Sequence, residues 1–326
     1  MKAKVITDFS EKGLFPEETD MLREVAEVHF GPFTHEDFLK EVKDADAIFL
    51  ALKKIDEEIL DAAPKLKIVA RYGVGYDNVD VEACTKRGVY VTITPGVLSD
   101  AVADLALAFM LCLSRNIIEA DKYTREKWAR NEDKLRLGFD LKGKVCGIVG
   151  LGRIGFQVAK RVHGFGMRIL YYDIVRNEEA ERLFGAKLVS LDELLRESDY
   201  VTIHVFLNEK TRGMIGRREL SLMKKSAYII NTARGAVIDQ TALVEFLKEK
   251  KIAGAGLDVF EKEPISLDDP LLKLDNVVLA PHMGSATVET RRAMARTAIK
   301  NIMAVLKGEV PPNPVPEQRG KVFQKS

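Results

Sequence analysis

Residues 145–173 read VCGIVGLGRIGFQVAKRVHGFGMRILYYD. The short apolar run 145–149 has the composition of a strand buried on both faces. Gly150, Gly152 and Gly155 follow in G-x-G-x-x-G spacing, and Ile154, Val158, Ala159 and Val162 then recur at helical intervals. A second apolar run, 169–172, ends on Asp173, about 20 residues past the glycines. In a dinucleotide site each glycine has a separate task. Gly150 permits the tight turn, Gly152 lets the backbone approach a pyrophosphate, and Gly155 lets the helix lie close on its strand. The helix, opening through Arg153 and Ile154, aims free N–H groups and a positive dipole end at the phosphates. Asp173 at the tip of the second strand can accept hydrogen bonds from both hydroxyls of an adenosine ribose. Strand, glycines, helix and acid occur together, which a glycine-rich turn alone does not explain.

Around this unit, 326 residues are enough for two domains, and 46% hydrophobic with 30% charged residues describes a globular chain with ample core. A net charge of +1 gives no electrostatic case for nucleic acid or an anionic membrane surface. No apolar run approaches the roughly 20 residues of a membrane span. The start, MKAKVITDFS, enters a strand pattern directly rather than a signal peptide. Cys84, Cys112 and Cys146 are isolated and form no C-x-x-C pair. They read as free thiols of a cytoplasmic protein without a metal site.

Apolar runs at 5–7, 27–30, 47–50, 67–70 and 90–92 alternate with helical patterns over the first hundred residues, which predicts a parallel sheet covered on both faces. Residues 99–127 read as mostly one helix, apolar around much of its circumference and therefore buried. The polar stretch 130–144 reads as a loop. Alternation resumes after Asp173, with a strand expected at 200–205 that contains His204. A last helix at 287–306 is followed by an extended tail carrying Pro311, Pro312, Pro314 and Pro316. The fold class is α/β, two doubly wound parallel-sheet domains of Rossmann or flavodoxin type with a cleft between them.

Three further stretches leave strand ends, where open α/β sheets place ligands. They are Asn231-Thr232-Ala233-Arg234-Gly235, Gly256 to Pro264 (GLDVFEKEP), and Pro281-His282-Met283-Gly284-Ser285-Ala286. If they converge, they suit hydride transfer at a 2-oxo or 2-hydroxy acid. Arg234 could grip a substrate carboxylate, since guanidinium matches its geometry and stays charged. His282 could donate the proton to the oxo oxygen and take it back in the oxidative direction. Glu263, against the other ring nitrogen, would hold the imidazolium. The bland alternatives are a helix-capping Arg234, ordinary turn polarity at Glu263 and a packed His282. His204 reads as a satisfied core histidine, and Lys53-Lys54 as a solvated pair or an edge of the pocket.

With GLGRIG, HVFL at 204–207, NTARG, GLDVFEKEP and PHMGSAT in order, the chain resembles the D-isomer-specific 2-hydroxyacid dehydrogenases over nearly its whole length. The resemblance implies that Arg234, Glu263 and His282 are catalytic. It places Asp258 at the nicotinamide carboxamide, with Thr232, Ala233 and Gly284 lining that end of the cofactor. It also implies that the backbone N–H groups of Val74 and Gly75 bind the substrate carboxylate, beside Arg234 and His282. The domains would be a substrate-binding one (1–98 and 286–326) and a dinucleotide-binding one (99–285), with the 99–127 helix as hinge and arm of a homodimer.

Phosphoglycerate dehydrogenases of this family carry a phosphate-binding arginine near Leu50, which is apolar here. The branch most similar is that of the glyoxylate and hydroxypyruvate reductases. Alternatives are a D-3-phosphoglycerate dehydrogenase-like enzyme and a non-catalytic, NADH-sensing protein like the family's corepressors. Asp173 would repel the extra phosphate of NADP, so NAD is the expected cofactor, although Arg176 nearby could accommodate NADP. The partners expected are a small 2-oxo or 2-hydroxy acid and a second copy of the chain, with no nucleic acid and no membrane.

Overall fold

The structure, a computed structural model, describes residues 2–130 and 135–323. The chain forms two compact units, Met1–Leu98 with Ser285–Ser326, and Ser99–Gly284. Part of the expected loop at 130–144 (residues 131–134) lies outside the described residues.

In the first unit β1 (Ala3–Thr7), α1 (Pro16–Val25), β2 (Ala26–His29), α2 (His35–Glu41), β3 (Ala47–Leu50), α3 (Glu57–Ala62), β4 (Ile68–Arg71), α4 (Val81–Lys86) and β5 (Tyr90–Thr92) alternate. All strand pairs are parallel in the order β2-β1-β3-β4-β5. β3, β4 and β5 are buried along their whole length, which is why they read as continuous apolar runs. Ile48, Leu50, Val69 and Val91 share one core with Phe38 and Ile59. Each such side chain contributes about 1.5–3 kcal/mol through burial. The helices begin where side chains accept the first free N–H groups: Thr34 from Asp37, Asp56 from Ile59 and Asp80 from Ala83.

The second unit opens with α5 (Ser99–Arg115) and α6 (Ile117–Glu126). The single helix expected at 99–127 is thus two, bent by 56°. Asn116 between them has φ 51°, a left-handed conformation that interrupts the helical ladder and that Asn tolerates better than most residues. α5 is buried within its own unit, where Ala103, Ala106, Phe109 and Met110 pack in one core with Ile148, Val158 and Ile230. No residue of α6 is buried. Among the described residues no single helix is long and apolar enough to cross a membrane.

Then follow β6 (Val145–Val149), α7 (Arg153–Gly164), β7 (Arg168–Tyr172), α8 (Glu178–Phe184), β8 (Lys187–Leu188), α9 (Leu191–Glu197), β9 (Tyr200–Ile203), α10 (Arg217–Leu222), β10 (Tyr228–Asn231), α11 (Gln240–Lys248), β11 (Gly254–Leu257) and β12 (Val277–Leu279). The parallel sheet runs β12-β11-β10-β9-β6-β7-β8, so strand order reverses between β6 and β9. Ligands of open α/β sheets bind at such a switch point. β9 stops at Ile203, so His204, expected inside a strand at 200–205, lies one residue beyond it. α12 (Val288–Leu306), capped by Thr287, then returns to the first unit and packs on α1 and β4. Thus the architecture is two doubly wound parallel sheets.

Candidate active site

The glycine-rich turn joins β6 to α7 at the switch point. Gly150 has φ 94°, and a Cβ there would lie 2.9 Å from the His204 carbonyl, so only glycine makes the turn. At Gly152 a Cβ would meet nothing within 4 Å: the backbone faces open space. A Cβ on Gly155 would sit 2.1 Å from the Gly150 oxygen, which is how closely α7 lies on its strand. Arg153, Ile154 and Gly155 form the first turn of α7, whose N–H groups have no intrahelical acceptor. This is a cradle with the shape and polarity for a pyrophosphate.

Asp173, just past β7, accepts the Leu151 N–H at 2.7 Å through one oxygen and the Val175 N–H at 3.2 Å through the other. Asn177 caps α8 and donates to the Leu151 carbonyl at 3.0 Å. Both backbone groups of Leu151 are thereby fixed by side chains from the next strand end. Arg176 is engaged with Glu181, its Nη2 2.7 Å from one carboxylate oxygen.

Two strands along, β10 ends on Asn231, whose side chain straps the following turn. Its amide donates to the Arg234 carbonyl at 2.8 Å and its oxygen accepts the Ala233 N–H at 3.0 Å. A Cβ on Gly235 would lie 1.9 Å from the Phe260 carbonyl carbon, so the turn bearing Arg234 rests directly on the backbone leading to Glu263. Thr232 is buried, with its hydroxyl enclosed and lacking a hydrogen-bond partner. Such a group calls for a partner, whether an ordered water or a bound ligand.

Asp258, directly after β11, is buried and organises the third stretch. Its carboxylate accepts the N–H groups of Met283 (2.7 Å) and Gly284 (2.8 Å), and its carbonyl accepts that of His282 (2.8 Å). His282 itself sits at φ 52°, strained for a residue with a side chain, and this clamp holds it there. Burial pushes the Asp258 carboxyl up and the Glu263 charge adds to it, against the two hydrogen bonds and the charge of His282.

The His282 Nδ1 lies 2.6 Å from a Glu263 oxygen, and the other Glu263 oxygen accepts the Phe260 N–H at 3.0 Å. Burial alone would raise the Glu263 carboxyl. The hydrogen bonds of His282 and Phe260, with the charges of His282 and Arg234, outweigh it and hold the group below the usual carboxylate range. Three strand ends thus bring Arg234, Glu263 and His282 into one electrostatic neighbourhood. With Nδ1 engaged by Glu263, Nε2 is the ring nitrogen that remains.

Other positions are of a different kind. His204 is bonded through Nε2 to the Thr202 hydroxyl at 2.8 Å, but Nδ1 is enclosed without a partner, so the ring is only half satisfied. Burial pushes its pKa down to about 3. Leu50 is wholly buried in the core and presents nothing to a ligand; the first exposed side chain beyond it is Leu52. The half-buried Lys53 has its amine 3.4 Å from the Phe33 carbonyl and over the Phe38 ring, while Lys54 is exposed and paired with Asp56. Cys84 and Cys146 are buried, Cys112 half-buried, and all are free. In the first unit Val74 and Gly75 lie on the half-buried loop after β4. The straps at Asn231 and Asn177 went unread in the sequence, although an asparagine two residues before an alanine-arginine turn, or just before Glu178-Glu179, carries the pattern of a side-chain cap.

Residues 107–284 match the family model of the D-isomer specific 2-hydroxyacid dehydrogenase NAD binding domain. The chain is 54% identical over 287 residues to a glyoxylate reductase of Korarchaeum cryptofilum, covering 87% of this chain and 86% of that one. It is 49% identical to a glyoxylate reductase of Thermococcus kodakarensis over 325 residues, 98% of this chain and 94% of that one. Among solved structures it is similar to an NADPH-dependent glyoxylate/hydroxypyruvate reductase of Sinorhizobium meliloti in complex with NADP and malonate (TM-score 0.87, 32% identity, 100% and 99% of the two chains covered). The switch-point glycines and the three strand-end motifs therefore have a shared ancestry to explain them: the chain belongs to the D-isomer-specific 2-hydroxyacid dehydrogenases, NAD(P)-dependent oxidoreductases, in their glyoxylate reductase branch.

Proposed function

We propose that the chain reduces small unphosphorylated 2-oxo acids, glyoxylate and hydroxypyruvate first, to D-2-hydroxy acids with NADH, through Arg234, Glu263 and His282. The observation that supports this is the 2.6 Å bond between His282 Nδ1 and Glu263, with Nε2 as the proton donor on this reading. Arg234 would hold the substrate carboxylate and polarise the neighbouring oxo group, and the backbone N–H groups of Val74 and Gly75 would also donate to that carboxylate. His282 would give its Nε2 proton to the oxo oxygen, with Glu263 fixing the ring through Nδ1. Asp258 keeps the imidazole aimed by holding the backbone on either side of it.

The bound nicotinamide supplies the hydride. Gly150, Gly152, Arg153, Ile154 and Gly155 would hold its pyrophosphate, Asp173 its adenosine ribose, and Thr232, Ala233, Asp258 and Gly284 its other end. NAD rather than NADP is favoured by the Asp173 carboxylate and by the engagement of Arg176 with Glu181, which leaves less positive charge for a 2′-phosphate. On this reading 99–285 is the dinucleotide-binding domain, and 1–98 with 286–326 the substrate-binding one. The exposed Ile118, Trp128, Leu137 and Phe139 support a homodimer, and three free thiols support a reducing, cytoplasmic setting.

Steady-state assays with glyoxylate, hydroxypyruvate, pyruvate and 3-phosphohydroxypyruvate, run with NADH and NADPH side by side, test the proposal. Reduction of the first two with NADH is expected. A folded, NADH-binding protein that turns over none of them would overturn it.

A further inference from the structure

The five-stranded sheet has its own switch point, between β1 and β3, and something already occupies it. Asp8, the first residue past β1, sends its carboxylate into the loop after β3. One oxygen accepts the Ala51 N–H at 2.5 Å; the other accepts those of Leu52 and Lys53, each at 2.7 Å. Three successive backbone N–H groups converging on one carboxylate make an anion-binding concavity that the chain fills itself.

The carbonyls of the same loop are also spoken for. Arg71, buried at the end of β4, donates to those of Leu50 (3.2 Å) and Ala51. Asn78 donates to those of Leu52 (3.1 Å) and Lys53 (2.8 Å). Arg71 reaches further, its Nε donating to the Gly75 carbonyl at 2.8 Å. Backbone bonds from Ile55 to Asn78 (2.8 Å) and from Thr94 to Gly73 (2.9 Å) complete the join. Loops 50–55 and 72–78 are therefore one hydrogen-bonded body, pinned by three side chains. An exposed loop without such pins would have to be ordered at the moment of binding, at a cost in affinity.

We propose that Asp8, Arg71 and Asn78 are positioning residues, which pre-form the seat that the Val74 and Gly75 N–H groups offer to the carboxylate of a 2-oxo acid. This rests on the functional reading given above for those two N–H groups. None of the three touches the substrate; they act through the backbone of the joined loops. Asp8 is the most informative of them, because its charge is spent wholly on that backbone.

The test is Asp8→Asn in the full-length holoenzyme, with glyoxylate as the varied substrate. Removing the charge weakens three charge-assisted bonds, so KM for glyoxylate is expected to rise about tenfold or more. The kcat should stay within about threefold, the split expected when ground-state binding is what is lost. The NADH dissociation constant should not move, and amides 51–53 and 74–75 should exchange faster in D8N without substrate. An unchanged KM in a folded D8N protein overturns the proposal, and so does a parallel loss of NADH affinity, which would mark a general defect. Should D8N fail to fold, Asn78→Ser removes the pins on the Leu52 and Lys53 carbonyls and is held to the same outcomes. A wild-type enzyme inactive on every 2-oxo acid would sink the functional reading itself, whereas an active wild type with an unmoved D8N sinks only the positioning role.

Discussion

The Glu263 carboxylate keeps its charge because His282 and Phe260 hold it there, and this makes a prediction about pH. Its pKa is lower in the folded chain than the ordinary carboxylate value. The stabilisation is therefore present above that value and is lost as pH falls through the lower, folded-state value. Glu263→Gln should melt below the wild type near neutral pH, and the gap should close as the solution becomes more acidic than the ordinary carboxylate range. Thermal melts of both proteins across pH check this; a gap that widens on acidification contradicts it. His282→Ala, by contrast, should cost about 10²–10⁴ in turnover, the range for losing a general acid, with NADH affinity retained. The sequence displayed these residue types and their strand-end positions, so Arg234, Glu263 and His282 could be read as one candidate site from the residues alone. It did not display the left-handed backbone of His282 or the N–H groups of Met283 and Gly284 that the Asp258 carboxylate accepts in keeping it so, because those depend on how the strand ends are juxtaposed in space.

Glycines at the start of α7 separate packing from binding within a single turn. Gly155→Ala would drive a Cβ to 2.1 Å from the Gly150 oxygen, so α7 must shift off its strand and the protein should lose stability. Gly152→Ala meets no neighbour within 4 Å and has an extended backbone that alanine adopts readily. It should melt with the wild type yet bind NADH more weakly, since the new methyl occupies the path of a pyrophosphate. Melting curves and NADH titrations of the two variants distinguish these roles, and equal behaviour would contradict them. Elements of this kind were readable because strand, turn and helix are set by local periodicity and by glycine. The break at Asn116 and the end of β9 before His204 were not, because apolar composition runs straight through both. There the outcome follows from backbone conformation and from strand pairing, which a residue pattern does not encode.

At the scale of the molecule, both sheets follow doubly wound orders that the alternation of apolar and helical segments had implied. Nucleotide preference is the property to test here, because it depends on a charge balance and not on any single contact. Asp173→Ala removes a carboxylate while leaving Arg176, so it should shift the ratio of NADPH to NADH affinity toward NADPH. Titration of both nucleotides against both proteins measures it, and an unaltered ratio would remove Asp173 from that role. The self-filled switch point of the five-stranded sheet has a consequence for stoichiometry. A fold of that strand order can host a mononucleotide at that spot, but here the phosphate would first have to evict the chain's own aspartate. Calorimetric saturation should accordingly count one nucleotide per polypeptide, despite two sheets each built in an order able to take one.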